Sequence, residues 1–399
     1  MRLAFLTHEP FYPPSGGGSA EAAYLVQELV RRGHQVHLFC PRFPDPDPVK
    51  RKFGVELELF SAWEMGRYTA LRNFKYLAYP FFLQRMVERA AQRLKFDLVF
   101  SQHAISAVAA GRLKRKLRLP VVMNFLDYLT GFMETWPRYV APRRFIQALE
   151  RFELSLPLRH HADGVLTVSD TLADCFVRSG YPRERILPIY YGYDAKLFPL
   201  CEAIAGTNPP VVLMHGSFDR HHLGTIALDA LSCLARVKPE VKFKFVGKPT
   251  PALIKFRQRA RATIPGLQIE CAGFVPYAEM AAQLASASVG IVPYQESTGT
   301  HCAFVAKIVE YLGAGLPVVS TPLDSARRYF GNEPAVRFSQ FDGASFGRQI
   351  LSWLEEPLEH RRSLGRAASR RVQSELDWGV IGKKAIDFVE RIHQQQGRT

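Results

Sequence analysis

The chain has 399 residues, 47% of them hydrophobic and 22% charged, and a formal net charge of +15. That composition has room for two cores and excludes a disordered or fibrous chain. The charge excess asks for an anionic partner. There is no zinc-finger spacing, basic zipper or aromatic RNP stretch, so nucleic acid is set aside for a membrane surface or anionic substrates.

The start, MRLAFLTHEPFYPP, reads as a first strand and not as a signal peptide. No run approaches the ~20 apolar residues of a membrane span. The cysteines are dispersed without a C-x-x-C pair and read as reduced thiols of a cytoplasmic protein. Residues 3–6 form the first strand, and Gly16, Gly17 and Gly18 then allow close backbone approach at the start of a helix running from about 20 to 32. Ser15 or Ser19 is the expected cap of that helix. A strand at 35–39 completes a βαβ unit. Its glycines do not fit G-x-G-x-x-G and no acid ends its second strand, which argues against a dinucleotide site.

Another strand falls at 55–60. In the stretch 67–95 aromatic residues such as Phe74, Tyr79 and Phe81 interleave with Arg67, Arg72 and Lys75, and Arg85, Arg89 and Arg93 line one stripe of the second half. That pattern fits a domain helix with a solvated arginine face, or a segment lying on a bilayer together with the basic run 112–118. Strands follow at 97–101 and 120–123, and His103 stands just beyond the first of them. Ser169 is placed to cap a helix over 171–179, residues 186–189 are the last strand of the first half, and 199–210 is a linker.

The second half opens on VVLMHGSFDRHHLG. The adjacent His221 and His222 suggest a metal, but the spacing offers no carboxylate or cysteine ligand, and no metal is expected. Strands are expected at 242–246, leading to Gly247-Lys248, and at 268–271; a helix is expected at 280–287. The stretch 289–321 is the most informative. An apolar strand leads to a polar loop carrying Ser297, Thr298, Gly299 and Thr300, and then to a helix whose Val305, Ile308, Val309 and Leu312 make one apolar face. Lys307 and Glu310 share the opposite face, expected to be exposed. A helix N-terminus and an ammonium suit phosphate, and a carboxylate suits ribose hydroxyls. The remainder is mostly helical, with a final helix at 380–392.

KIVEYLGAGLPVVST resembles the donor-site signature of the retaining glycosyltransferases of the glycosyltransferase B fold, family-4 type. P-x-x-G-G ahead of a helix ending in R-G-H-x-V resembles the first unit of that family, and ADGVLTVSD through YGYDAKLF resembles its middle. The resemblance implies an α/β chain of two doubly wound Rossmann-like domains facing across a cleft. It places an N-terminal domain at 1–198, a linker at 199–210, a nucleotide-sugar domain at 211–376, and a C-terminal helix at 377–399 packing back on the first domain. The implied reaction moves a sugar from a nucleotide sugar to an acceptor hydroxyl with retention, in cell-envelope glycan or glycolipid synthesis. An epimerase of the same fold and a non-catalytic relative are the alternatives. The implied partners are the nucleotide sugar, a sugar or lipid-linked acceptor and an anionic membrane surface, with no cofactor beyond the donor.

The residues read above and the resemblance together give the candidate site. Glu310 holds the ribose and Lys307 faces the diphosphate. Gly16 and Gly17 lie near the donor phosphates, while Phe274 and Val275 pass the base. Arg220 and Lys248 supply cations, and Ser297, Thr298 and Gly299 form the donor loop. Ser217 stands where the family has an arginine, His222 or Leu223 where it has a lysine, Cys302 where it has a first glutamate, and Tyr191 where it has an asparagine. Leu126 replaces the usual histidine after the strand at 120–123, leaving Asp127 and His103 as the catalytic candidates.

Overall fold

A computed structural model describes residues 1–13, 17–60, 72–136, 138–139, 142–201, 208–276 and 279–396. Gly16, Ser15 and residues 67–71 of the aromatic–basic stretch lie outside the described residues, as do the side chains of 72–76. The chain forms two compact units: Met1–Thr130, Arg143–Tyr190 and Gly379–Thr399 make one, and Gly131–Pro142 with Tyr191–Trp378 makes the other.

The first unit is built on β1 (Arg2–Thr7), β2 (Gln35–Pro41), β3 (Glu56–Phe60), β4 (Leu98–Gln102), β5 (Val121–Phe125), β6 (Gly164–Thr167) and β7 (Ile186–Pro188). They form a seven-stranded sheet in the order β3-β2-β1-β4-β5-β6-β7, every pair parallel. β4 and β5 are buried along their whole length, as strands covered on both faces must be. The strand order reverses between β1 and β4, the point where doubly wound sheets bind ligands.

The helix Gly17–Arg31 turns Leu25, Val26 and Leu29 inward. It begins before the expected position, and Ser19 is buried inside it and is not its cap. The C-terminal helix Trp378–Gln396 returns to this unit, as the resemblance implies. Arg32 reaches Asp387 at 2.7 Å and Glu390 at 2.8 Å, and His34 reaches Glu390 at 2.8 Å. A Cβ on Gly164 would come within 2.6 Å of Phe388, so this strand must carry glycine for the helix to close on it. The helices Arg72–Ala91, His103–Leu117 and Arg143–Arg159 pack in a row on one side of the sheet.

The second unit has β8 (Val211–His215), β9 (Lys242–Val246), β10 (Gln268–Gly273), β11 (Val289–Val292), β12 (Val318–Ser320) and β13 (Val336–Phe338). Its six-stranded sheet runs β10-β9-β8-β11-β12-β13, again parallel, and repeats the winding of the first. The reversal falls between β8 and β11.

The helix Ala306–Gly313 does not have the exposed face expected of it. Lys307 is 8% and Glu310 4% exposed. On one side Gly290 of β11 has no Cβ, so the Tyr311 ring lies against that strand. On the other, the helix Leu358–Leu376 covers it: Ser369 Oγ donates to Gly313 O at 2.6 Å, and Gly365 packs on Gly315. The sequence period identified an apolar side but gave no sign of a second cover. The loop before it also differs from expectation, because Thr298–Cys302 is a short helix of its own. Among the described residues no helix is long and apolar enough to cross a membrane.

Candidate active site

Each unit gathers polar side chains at its own switch point. In the second unit β8 ends at His215, and Gly216 follows with φ near 100°, a conformation that favours glycine. The Lys307 side chain runs beside that turn, its Cε and Nζ each 3.1 Å from where a Gly216 Cβ would stand. Its ammonium donates to Tyr294 Oη at 2.9 Å. Among the described residues no carboxylate pairs with Lys307. Glu310, one turn along, turns instead to His215, with Oε2 at 3.1 Å from Nε2, and accepts a longer bond of 3.4 Å from Tyr191 Oη. The His215 contact has the distance of an ion pair without the alignment of a hydrogen bond. Tyr311 fixes the helix to β8 by accepting from His215 N at 3.1 Å.

Beyond Gly216, Ser217 and Arg220 are exposed. His221 and His222 lie in contact with their ring planes tilted at 52° and centroids 3.9 Å apart, and the Tyr294 ring lies 4.5 Å from His222. Burial, with help from the Lys307 charge, lowers His221 to a pKa of about 3. Burial, His221 and Lys307 push His222 well below the ordinary histidine range. Both imidazoles are therefore neutral at pH 7. His222 Nδ1 accepts from Asp219 N at 2.9 Å, which places its proton on Nε2.

Asp219 supplies the carboxylate that the spacing was read as lacking, and Asp219, His221 and His222 hold ligand-type atoms within 4.8 Å of one another. The His222 tautomer and the nearby Lys307 cation both oppose a metal at that cluster, because Nε2 presents a proton and not a lone pair.

The donor loop is engaged with the rest of its own unit. Ser297 caps the short helix by accepting from Thr300 N at 3.1 Å, and Thr300 Oγ1 accepts in return from Ser297 N at 2.9 Å. Thr298 N and Oγ1 donate to Glu134 at 2.8 and 2.6 Å. A Cβ on Gly299 would strike the backbone of Phe132, and the Phe132 ring lies 4.8 Å from His221. Residues 131–136 thus lie over this loop, which nothing in the local sequence signals. Lys248 and Phe274 come together on neighbouring loops, the ammonium 5.1 Å from the ring centroid, with Val275 next in the chain. A pocket of about 560 Å³ is lined by Arg220, Lys255, Arg259, Gln295 and Glu296, among others; Lys248, Phe274, Lys307 and Glu310 are not part of its wall.

In the first unit Gly17 is exposed at the start of its helix. Gly18 has no room for a side chain: a Cβ would lie 2.8 Å from His103 Nε2 and 2.9 Å from Glu9 Oε2. His103 adopts φ near 68°, and its ring stands edge-on to His8 at 4.9 Å. Asp127 is exposed after β5. Glu21 and Asn124 were not singled out from the sequence, yet both are wholly buried beside this group. The available signal was a glutamate on the same helical stripe as Leu25 and Leu29. Tyr294, His215 and Tyr191 were likewise missed as neighbours of Lys307 and Glu310, because they come from three separate parts of the chain.

Two parallel six- and seven-stranded sheets of Rossmann order, each with polar groups at its switch point, define the glycosyltransferase B fold. Solved structures of that fold match along the whole chain. Sucrose-phosphate synthase from Thermosynechococcus elongatus superposes with a TM-score of 0.79 at 17% identity, over 99% of each chain. Anabaena HepE in complex with UDP-glucose gives 0.72 at 18% identity, over 98% of this chain and 100% of the other. WaaG, a glycosyltransferase involved in lipopolysaccharide biosynthesis, gives 0.66 at 17% identity, over 96% and 98%. A comparison with curated proteins found no match. The profile described as "Glycosyl transferase 4-like domain" matches residues 16–192, and "Glycosyl transferases group 1" matches 209–356. The chain belongs to the family-4-type retaining glycosyltransferases, which use nucleotide-sugar donors.

Proposed function

We propose that the protein transfers a hexose from a nucleotide sugar to a hydroxyl of a sugar or lipid-linked acceptor, in the synthesis of a cell-envelope glycan or glycolipid. The observation that carries the donor assignment is a buried ammonium, Lys307, one helical turn from Glu310, with a tyrosine hydroxyl as partner and no carboxylate among the described residues. A buried cation without a counter-ion is costly, and a diphosphate supplies one. In this reading Lys307 meets the diphosphate and Glu310 turns from His215 to the ribose. Arg220 and the His222 Nε2–H stand in for the arginine that Ser217 replaces. Lys248, Phe274 and Val275 border the base. As the bond to the sugar breaks, negative charge grows on the departing diphosphate, and these donors stabilise it more than they stabilise the bound substrate.

The family resemblance assigns Gly16 and Gly17 to the donor phosphates and the acceptor; Asp127, the acid left at the family's His–Asp position, and His103, which follows β4, are the catalytic candidates. HepE was solved with UDP-glucose, so UDP-sugars are the first donors to test. The decisive experiment mixes the protein with UDP-, GDP- and ADP-sugars and candidate acceptors and follows nucleoside diphosphate release. Acceptor-dependent release supports transfer. Conversion of the donor sugar without release would make the protein an epimerase, and donor binding without either would make it a non-catalytic relative.

The exposed apolar side chains of the first unit favour a membrane-bound acceptor. Leu77, Phe81 and Phe82 are exposed on the helix Arg72–Ala91, and the Arg112 guanidinium lies 4.4 Å from the Phe81 ring centroid. Phe145, Phe152 and Leu158 are exposed on the helix Arg143–Arg159 in the same row. Apolar groups set among arginines match an anionic bilayer and a peripheral position on the inner face of the cell membrane.

A further inference from the structure

Glu21 and Asn124 are both fully buried, one in the second turn of the helix Gly17–Arg31 and the other on β5. Their side chains meet at 2.5 Å, assigned as Asn124 Nδ2 donating to Glu21 Oε1. That separation is short for an amide N–H donor and ordinary for an O–H donor. The other two polar atoms of the pair, Glu21 Oε2 and Asn124 Oδ1, are buried and have no partner. Among the described residues an ionised carboxylate here would have one hydrogen bond and no cation, an expensive state for a fully desolvated charge. The amide orientation is a choice of assignment, and exchanging its two atoms puts a carboxylic acid O–H against the amide oxygen. Burial is also what raises the Glu21 pKa to about 8, with the Asp127 charge adding to it.

We propose that Glu21 is a neutral carboxylic acid that donates to the Asn124 amide, and that this buried pair is a positioning device for the acceptor-side end of β5, from which Asp127 projects. This rests on the glycosyl-transfer reading above. β5 runs from Val121 to Phe125, so Asn124 fixes the strand end three residues before Asp127. A neutral acid beside Asp127 leaves Asp127 able to carry negative charge; an ionised Glu21 would repel it and weaken the amide bond together. The other titratable groups at this end of the helix are His8 and Glu9 after β1 and His103 after β4, gathered around Gly18. Asp127 is the one whose charge acts on Glu21.

The test uses the full chain with saturating donor. Wild-type transfer should fall reversibly as pH rises through about 8, while Glu21→Gln, which cannot ionise, should keep its rate across that range. Glu21→Ala should lower kcat about ten- to a hundredfold at every pH, with KM for the donor unchanged. Infrared spectra of the wild type should show a protonated-carboxyl stretch at neutral pH that Glu21→Gln lacks. An equal alkaline fall in Glu21→Gln, or the absence of that stretch from the wild type, would overturn the proposal. If the variant does not fold, the wild-type stretch is followed with pH: its loss at about 8 marks Glu21, whereas Glu153 titrates at about 6, and no loss at about 8 overturns the proposal. The infrared arm also separates the two ideas: no transfer with the stretch present sinks the enzymatic reading and leaves the neutral acid in place.

Discussion

The Lys307 ammonium donates to Tyr294 Oη at 2.9 Å, while Glu310, one turn along the same helix, lies 3.1 Å from His215. Two opposite charges on one helix therefore do not neutralise each other. Each is held by a group that a ligand can displace or join, and the helix is buried where the sequence period placed it at the surface.

Glu310→Gln should weaken binding of nucleoside diphosphate by roughly tenfold or more, the equivalent of one charged hydrogen bond to ribose. Because Glu310 is 4% exposed and paired with His215, the change should also cost about 1–2 kcal/mol of stability. Calorimetric titration and urea melts measure the two effects. Unchanged affinity would mean that Glu310 is a structural partner of His215 and the ribose lies elsewhere.

Lys307→Met should separate stability from function. Removing a buried cation that lacks a carboxylate partner should leave the ligand-free protein as stable as before, or more stable by about 1 kcal/mol. Donor turnover should drop, with a larger loss in kcat than in donor binding, if the ammonium meets leaving-group charge. A variant that is less stable yet fully active would remove Lys307 from the donor site.

Gly299→Ala should cost about 1–3 kcal/mol, because the added methyl meets the backbone at Gly131 and Phe132 and not open solvent. Donor affinity should fall as residues 131–136 are pushed off the loop. Glu134→Ala removes the carboxylate from Thr298 without adding bulk, and should weaken donor binding less than Gly299→Ala does. Equal donor affinity in Gly299→Ala and wild type would show that the loop does not shape the site.

Stability should decline with pH through Glu21. Below about pH 4.5 its carboxyl is protonated in both folded and unfolded chains. Between there and about 8 the unfolded chain releases the proton and the folded one keeps it, so unfolding is favoured as pH rises. The full effect is on the order of 4–5 kcal/mol. Glu153, raised by burial to about 6, adds a smaller fall over a lower range. The difference between wild type and Glu21→Gln in urea melts isolates the Glu21 part, and matching pH slopes in the two proteins would rule it out.

Flotation with phosphatidylglycerol liposomes tests the apolar and basic row of the first unit. Binding should be salt-sensitive and should drop several-fold in Phe81→Ser and Phe152→Ser. The absence of binding at low salt would dismiss the bilayer as the partner.

The alternation of apolar strands with amphipathic helices supported the two parallel doubly wound sheets that the family resemblance implied, since a strand such as Val121–Phe125 must be covered on both faces whatever its neighbours are. The segment around Lys307 and Glu310 was equally legible, because its residue types and spacing are local properties. Their environment was not. A hydrophobic period records which side of a helix faces the nearest sheet; it cannot record that Leu358–Leu376 covers the other side, and so two buried charges read as a solvated stripe. The partners that decide what those charges do, His215, Tyr191 and Tyr294, lie 95, 119 and 13 residues away, and only the folded chain brings them together. The same holds for Glu21 and Asn124, which are 103 residues apart. Sequence spacing carries the chemistry a segment can offer, and tertiary packing decides the dielectric and the partners that set its charge state.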